Sequence, residues 1–117
     1  MTNWELMAQA RQLLDSYIEK VNLKNVELLF GEEKAWGKAY MEKGKYSIDL
    51  NINLFRRHPE ELEETVAHEV AHLSTYKEMG NHNHKTPFWR ETMKAFGFKP
   101  RATKKTFRNQ AVVGMGR

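Results

Sequence analysis

Between Pro59 and Gly80 the chain has few conformations open to it. Pro59 lacks an N–H that a first helical turn does not need, and Glu60, Glu61, Glu63 and Glu64 favour the positive end of a helix dipole. Gly80 suits a left-handed stop. Between these limits Leu62, Val66, Val70 and Leu73 fall, at about 100° per residue, into a stripe roughly 80° wide. His68 and His72 lie together on one flank of it. Glu60, Glu63, Glu64, Ala67, Ala71, Ser74 and Glu78 take the opposite side, which the pattern predicts to face solvent. Glu69 is caught between the histidine pair and the apolar stripe. A carboxylate there is poorly hydrated and costly to keep, unless a cation or a hydrogen bond compensates.

His68-Glu69-Val70-Ala71-His72 is a His-Glu-x-x-His motif on a helix. Histidines four apart share one helix face, one turn above the other, so both imidazoles reach a single ion. Neutral imidazoles hold zinc without cancelling its charge, and a water on that ion loses a proton near neutral pH. Glu69 is placed to accept that proton and to deliver it later to a leaving amine. The chain has no cysteine, so disulfides, thiolate zinc sites and cysteine nucleophiles are all excluded within it, and a metal site must use His and carboxylate. A third ligand is needed. The position six residues beyond His72 is Glu78, on the predicted solvent side. Glu91, nineteen positions after His72, has a spacing that resembles thermolysin-like enzymes. His84 lies in the loop before Thr86, close enough to fold back, with His82 its near neighbour. Spacing alone does not separate them.

The rest of the chain reads as one α+β domain, in the order helix, sheet, helix, helix. Thr2-Asn3-Trp4-Glu5 fits a capping box, followed by Leu6, Ala10, Leu13, Leu14, Tyr17, Ile18 and Val21 at helical spacing: a helix over about residues 4–21. Asn22 and Asn25 bracket its exit, and Val26 to Phe30 reads as a short strand. From Tyr46 the period is two, with Ile48, Leu50, Ile52 and Leu54 alternating with polar residues. Trp36 to Met41 precedes this run, and Glu42-Lys43-Gly44-Lys45 supplies a turn, so a hairpin within a small antiparallel sheet is predicted. Thr86-Pro87 caps a last helix that carries Phe88, Trp89, Met93 and Phe96 and ends at Gly97 and Pro100. Trp4, Trp36 and Trp89 read as packing residues. Arg56-Arg57-His58 reads as a solvated turn, and Tyr76 as structural.

The net charge of +4 is unevenly spread. Residues 1–97 hold thirteen basic and fifteen acidic residues, whereas residues 98–117 hold six basic ones and no acid. Domain 1–97 and a basic tail 98–117 are therefore distinguished. Lys99, Arg101, Lys104, Lys105 and Arg108 are the candidate nucleic-acid contacts, with Phe107 among them able to stack on an unpaired base. A solvated terminus accounts for the same charge equally well. The start of the chain shows no basic-then-apolar leader pattern, and no segment reaches membrane-spanning length. A monomer inside the cell, cytoplasmic or nucleoid-associated, is the expectation.

Four blocks in order give the chain a family resemblance. Ala35-Trp36-Gly37-Lys38-Ala39-Tyr40, Tyr46-Ser47-Ile48-Asp49-Leu50-Asn51, Glu64-Thr65-Val66-Ala67-His68-Glu69-Val70-Ala71-His72-Leu73 and His84-Lys85-Thr86-Pro87-Phe88-Trp89 resemble the SprT-like metalloprotease domain, the family that includes Spartan. The resemblance implies a zincin-like fold and one zinc ion, with His68, His72 and His84 as ligands and Glu69 as the catalytic acid/base. It carries His84 ahead of Glu91. It also implies endopeptidase activity on proteins bound or crosslinked to DNA, with single-stranded DNA the favoured partner. Many SprT-like proteins continue into a four-cysteine zinc ribbon; without cysteine, a short form lacking it is expected. The rivals are a DNA-associated protein whose zinc is structural and another zinc hydrolase such as a nuclease, which Glu69 disfavours.

Overall fold

The structure, a computed structural model, describes residues 2–31, 35–42, 44–81 and 83–100. Helix α1 spans Asn3–Lys20. Its start is fixed by the predicted capping box: Glu5 N donates to Thr2 Oγ1 (3.1 Å), and Thr2 N donates to Glu5 Oε1 (2.9 Å). Leu6, Ala10, Leu14 and Tyr17 make its buried face. Asn22 and Asn25 both take left-handed backbone (φ 58° and 59°), which asparagine tolerates better than most residues, and so turn the chain into β1, Val26–Gly31.

Strands β2 (Gly37–Glu42) and β3 (Lys45–Asn51) form the predicted hairpin, with Gly44 at φ 78° in its turn. The third pairing differs from the expectation. The sheet is mixed, in the order β1-β3-β2, and β1 runs parallel to β3, with Val26 opposite Tyr46 and Phe30 opposite Leu50. Pairing with β2 on one side and β1 on the other places β3 in the centre, where its alternating Ile48 and Leu50 are fully covered. β1 then pairs with the free side of β3 rather than with β2. The strand pattern was also expected to run through Leu54, but it stops at Asn51. Asn51 Oδ1 accepts from Leu54 N (3.1 Å) and caps a short helix α2, Ile52–Arg57, whose Ile52 and Phe55 are buried. Arg56 and Arg57 are thus the last turn of a helix rather than a bare turn.

A turn of 3-10 helix at Pro59–Glu61 leads into α3, Leu62–Met79, which ends on Gly80 at φ 75°. Helix α1, helix α4 (Pro87–Ala95) and strand β2 all pack around α3. Consequently every residue from Thr65 to Thr75 is buried. This corrects the amphipathic reading, because Ala67, Ala71 and Ser74 do not face solvent. Their small side chains let neighbouring elements approach closely on the side opposite the leucine–valine stripe. Tyr17 ties α1 to α3 by donating its hydroxyl to Glu63 Oε2 (2.7 Å), and burial beside that carboxylate pushes its own pKa upward. Trp36 and Trp89 are buried as predicted, whereas Trp4 is 80% exposed and does not pack in the core. No helix among the described residues is long and apolar enough to cross a membrane.

Candidate metal centre

Helix α3 carries His68 and His72 on one face, both buried. His84 comes from the connection between α3 and α4. That connection is braced by its asparagines: Asn81 Oδ1 accepts from Asn83 N (3.2 Å) and from Thr86 Oγ1 (2.9 Å), and Asn83 Oδ1 accepts from Lys85 N (2.8 Å). Thr86 N also donates to the Asn83 carbonyl (3.0 Å). These are asparagine side chains substituting for backbone turns, and they hold the loop against the start of α4.

The result is a triangle of ring nitrogens. His72 Nε2 lies 2.8 Å from His84 Nε2 and 3.2 Å from His68 Nε2, and His68 and His84 Nε2 are 3.1 Å apart. Three nitrogens bound to one tetrahedral ion at about 2.05 Å would stand about 3.3 Å from one another. Protons satisfy such a triangle poorly, since an Nε2–H aimed at one neighbour leaves other lone pairs facing each other. A cation seated among the three nitrogens resolves all three contacts at once. It also requires the same tautomer in each ring, with the proton on Nδ1. Trp89 backs the cluster: its ring centroid lies 5.1 Å from His68, 5.6 Å from His72 and 4.8 Å from His84. The sequence showed Trp89 as an apolar helix residue, and nothing in its spacing marked the histidines as its neighbours.

Glu69 is wholly buried, and neither carboxylate oxygen has a hydrogen-bond partner among the described residues. Burial alone drives its pKa well above the usual carboxylate range. A buried carboxylate without a donor beside three converging imidazoles fits a site that holds a divalent cation and a polar reactant. The donor set and the orphaned carboxylate therefore agree with a metal ion held by His68, His72 and His84.

The other candidates lie elsewhere. Glu91 is exposed and pairs with Lys94 on its own helix (3.2 Å). Glu78 is exposed at the end of α3, and Tyr76 packs partly buried against the core. Lys99 is exposed at the end of the described residues. His82, Arg101, Lys104, Lys105, Phe107 and Arg108 lie outside them. The residues that sequence reasoning missed are Asn81 and Asn83; their alternation with His82 and His84 is the signal that marks a side-chain-braced turn.

An HExxH helix with a third histidine folded over it, beside a small mixed sheet, defines a zincin-like fold with a candidate metal site. The chain belongs to the SprT-like family, whose sequence profile matches residues 5–109. Protein SprT of Vibrio parahaemolyticus serotype O3:K6 (strain RIMD 2210633) is 43% identical over 72 residues, which are 60% of this chain and 42% of that protein. The chain thus aligns with less than half the length of this relative. No solved structure matches it.

Proposed function

We propose that the chain is a zinc-dependent endopeptidase acting on proteins associated with, or crosslinked to, DNA. The observation that carries the hydrolytic reading is the convergence of three Nε2 atoms, with Glu69, next to His68 in the same helix, fully buried and without a hydrogen-bond partner among the described residues. When bound, zinc would supply Lewis acidity toward a carbonyl oxygen and acidify a water at the site. His68, His72 and His84 would hold it through Nε2 as neutral ligands, so that its charge stays available for that work. Burial of Glu69 raises its proton affinity, which suits a carboxylate that takes a proton from the attacking water and returns it to the leaving amine nitrogen. The Trp89 indole and the surrounding core exclude bulk water from the back of the site.

Support for DNA as the setting is the family resemblance together with the charge of residues 98–117, which hold six basic residues and no acidic one. Lys99, Arg101, Lys104, Lys105 and Arg108 are the proposed phosphate contacts, and a single strand would leave bases free for Phe107 to stack on.

The test is cleavage of a DNA-binding protein, in the presence of single-stranded DNA, by wild type and by Glu69→Gln at equal zinc content. Glu69→Gln keeps the shape of the side chain and all three histidines. Its rate should fall by about 10²–10⁴-fold, the usual contribution of a general acid–base. Equal cleavage by both would remove Glu69 from the chemistry. Absence of cleavage by either, with DNA binding intact, would favour a binding protein with structural zinc.

A further inference from the structure

Strand β2 begins at Gly37, against the carboxylate that the proposed chemistry depends on. A β-carbon at position 37 would stand 3.0 Å from Thr65 Cγ2, 3.2 Å from Glu69 Cγ and 3.2 Å from Glu69 Oε2. All three distances are shorter than ordinary van der Waals contact between such atoms. Backbone freedom does not account for this glycine. The left-handed glycines among the described residues are Gly44, Gly80 and Gly97, whereas Gly37 is a regular strand residue paired with Leu50. What glycine provides at position 37 is space, and Glu69 occupies it.

The neighbours of that space have little room to yield. Thr65 is fully buried, and its hydroxyl donates to the Glu61 carbonyl (2.9 Å), which fixes the rotamer that turns Cγ2 toward the strand. Glu69 lies one helical turn beyond Thr65 on the same face of α3. No hydrogen bond from a described residue orients its carboxylate, so packing is left to set the direction of the side chain. The β2 backbone at Gly37 is one wall of that packing.

We propose that Gly37 is a positioning residue for Glu69: the missing side chain sets where the carboxylate lies relative to the three histidines, and a methyl group there displaces it. The inference rests on Glu69 being the general acid/base. Gly37 is not itself a metal ligand, so its substitution should separate the placement of the base from metal binding.

The experiment compares wild type, Gly37→Ala, Glu69→Gln, Glu69→Ala and the double variant Gly37→Ala/Glu69→Ala, measuring zinc content, thermal midpoint, kcat and KM. Gly37→Ala should keep about one zinc per chain. Its kcat should fall by about 10²-fold with KM little changed, the scale expected when a catalytic group moves by about 1 Å. In the stability comparison, alanine at position 37 should lower the melting temperature in the wild-type background and lower it less in the Glu69→Ala background, where the Cγ and Oε2 contacts are gone and only the Thr65 Cγ2 contact remains. That suppression does not depend on activity, and it decides the case even if Gly37→Ala alone does not fold. Wild-type kcat in folded Gly37→Ala, with Glu69→Gln inert, overturns the inference and leaves the function standing. Loss of zinc, a rise in KM alone, or equal destabilisation in both backgrounds overturns it as well. An active Glu69→Gln instead overturns the functional reading on which it rests.

Discussion

Glu69 sits in α3 where a carboxylate is least comfortable, wholly buried and without a donor among the described residues. Folding the metal-free chain therefore means either desolvating a charge or taking up a proton, and both oppose stability near neutral pH. Glutamine is nearly isosteric and carries no charge. The metal-free Glu69→Gln protein should consequently melt at a higher temperature than metal-free wild type at pH 7, while its proteolysis is lost. A lower melting temperature would mean that the carboxylate has a stabilising partner and that its burial carries no strain. The burial of this residue was legible in advance, because its place beside the apolar stripe and between the histidines follows from helical geometry alone. Its close approach to Gly37 was not. That approach joins residues 32 apart in the sequence across two elements, and no periodic pattern records it.

Helix boundaries were the most readable elements, since each is set by local chemistry: Thr2 with Glu5 at α1, Pro59 and Gly80 around α3, and Pro87 in the first turn of α4, where the expected Thr86 cap is not made because its hydroxyl donates to Asn81 Oδ1 instead. Pattern and structure part where a choice is made at a distance. β1 joins β3 in parallel rather than β2, and no turn sequence encodes the pairing. Ile52 and Leu54 alternate as a strand would, yet one side-chain cap from Asn51 turns them into α2. Ala67, Ala71 and Ser74 look like a solvent face because they are not large and apolar, although small residues are what close packing on that side requires. The connection that carries His84 belongs to this scale too. Asn81 and Asn83 are exposed, so replacing them should leave the melting temperature of the metal-free protein nearly unchanged. With the turn unbraced, His84 must be ordered by the metal itself. Asn81→Ala/Asn83→Ala should then weaken zinc affinity by about 10–100-fold, the range typical of supports behind a metal ligand. Competition with a chromophoric chelator reads this directly, and unchanged affinity would show that the loop is held by other interactions.

Along the whole chain the positive excess and the histidine cluster fall in different stretches of sequence. The positive excess lies in residues 98–117, while residues 1–97 carry a net charge of −2. If the tail supplies the binding to nucleic acid, a chain ending at Pro100 should show a shallower dependence of single-stranded DNA affinity on salt. The slope should fall by about 0.7 for each phosphate that the shortened chain no longer neutralises. An unchanged slope would place the phosphate-binding residues on the folded domain. The histidine cluster, in contrast, belongs to the core. It rests on a helix buried by α1, α4 and β2, and its third histidine, His84, reaches it from a short braced loop; we propose that this histidine is the third metal donor. The central claim is that this donor is His84 and not the carboxylate of Glu91. It is tested most directly by zinc content per chain, measured by elemental analysis on wild type, His84→Ala and Glu91→Ala purified alike. About one zinc should remain in wild type and in Glu91→Ala, and little in His84→Ala. Zinc kept by His84→Ala and lost from Glu91→Ala would contradict the three-histidine centre.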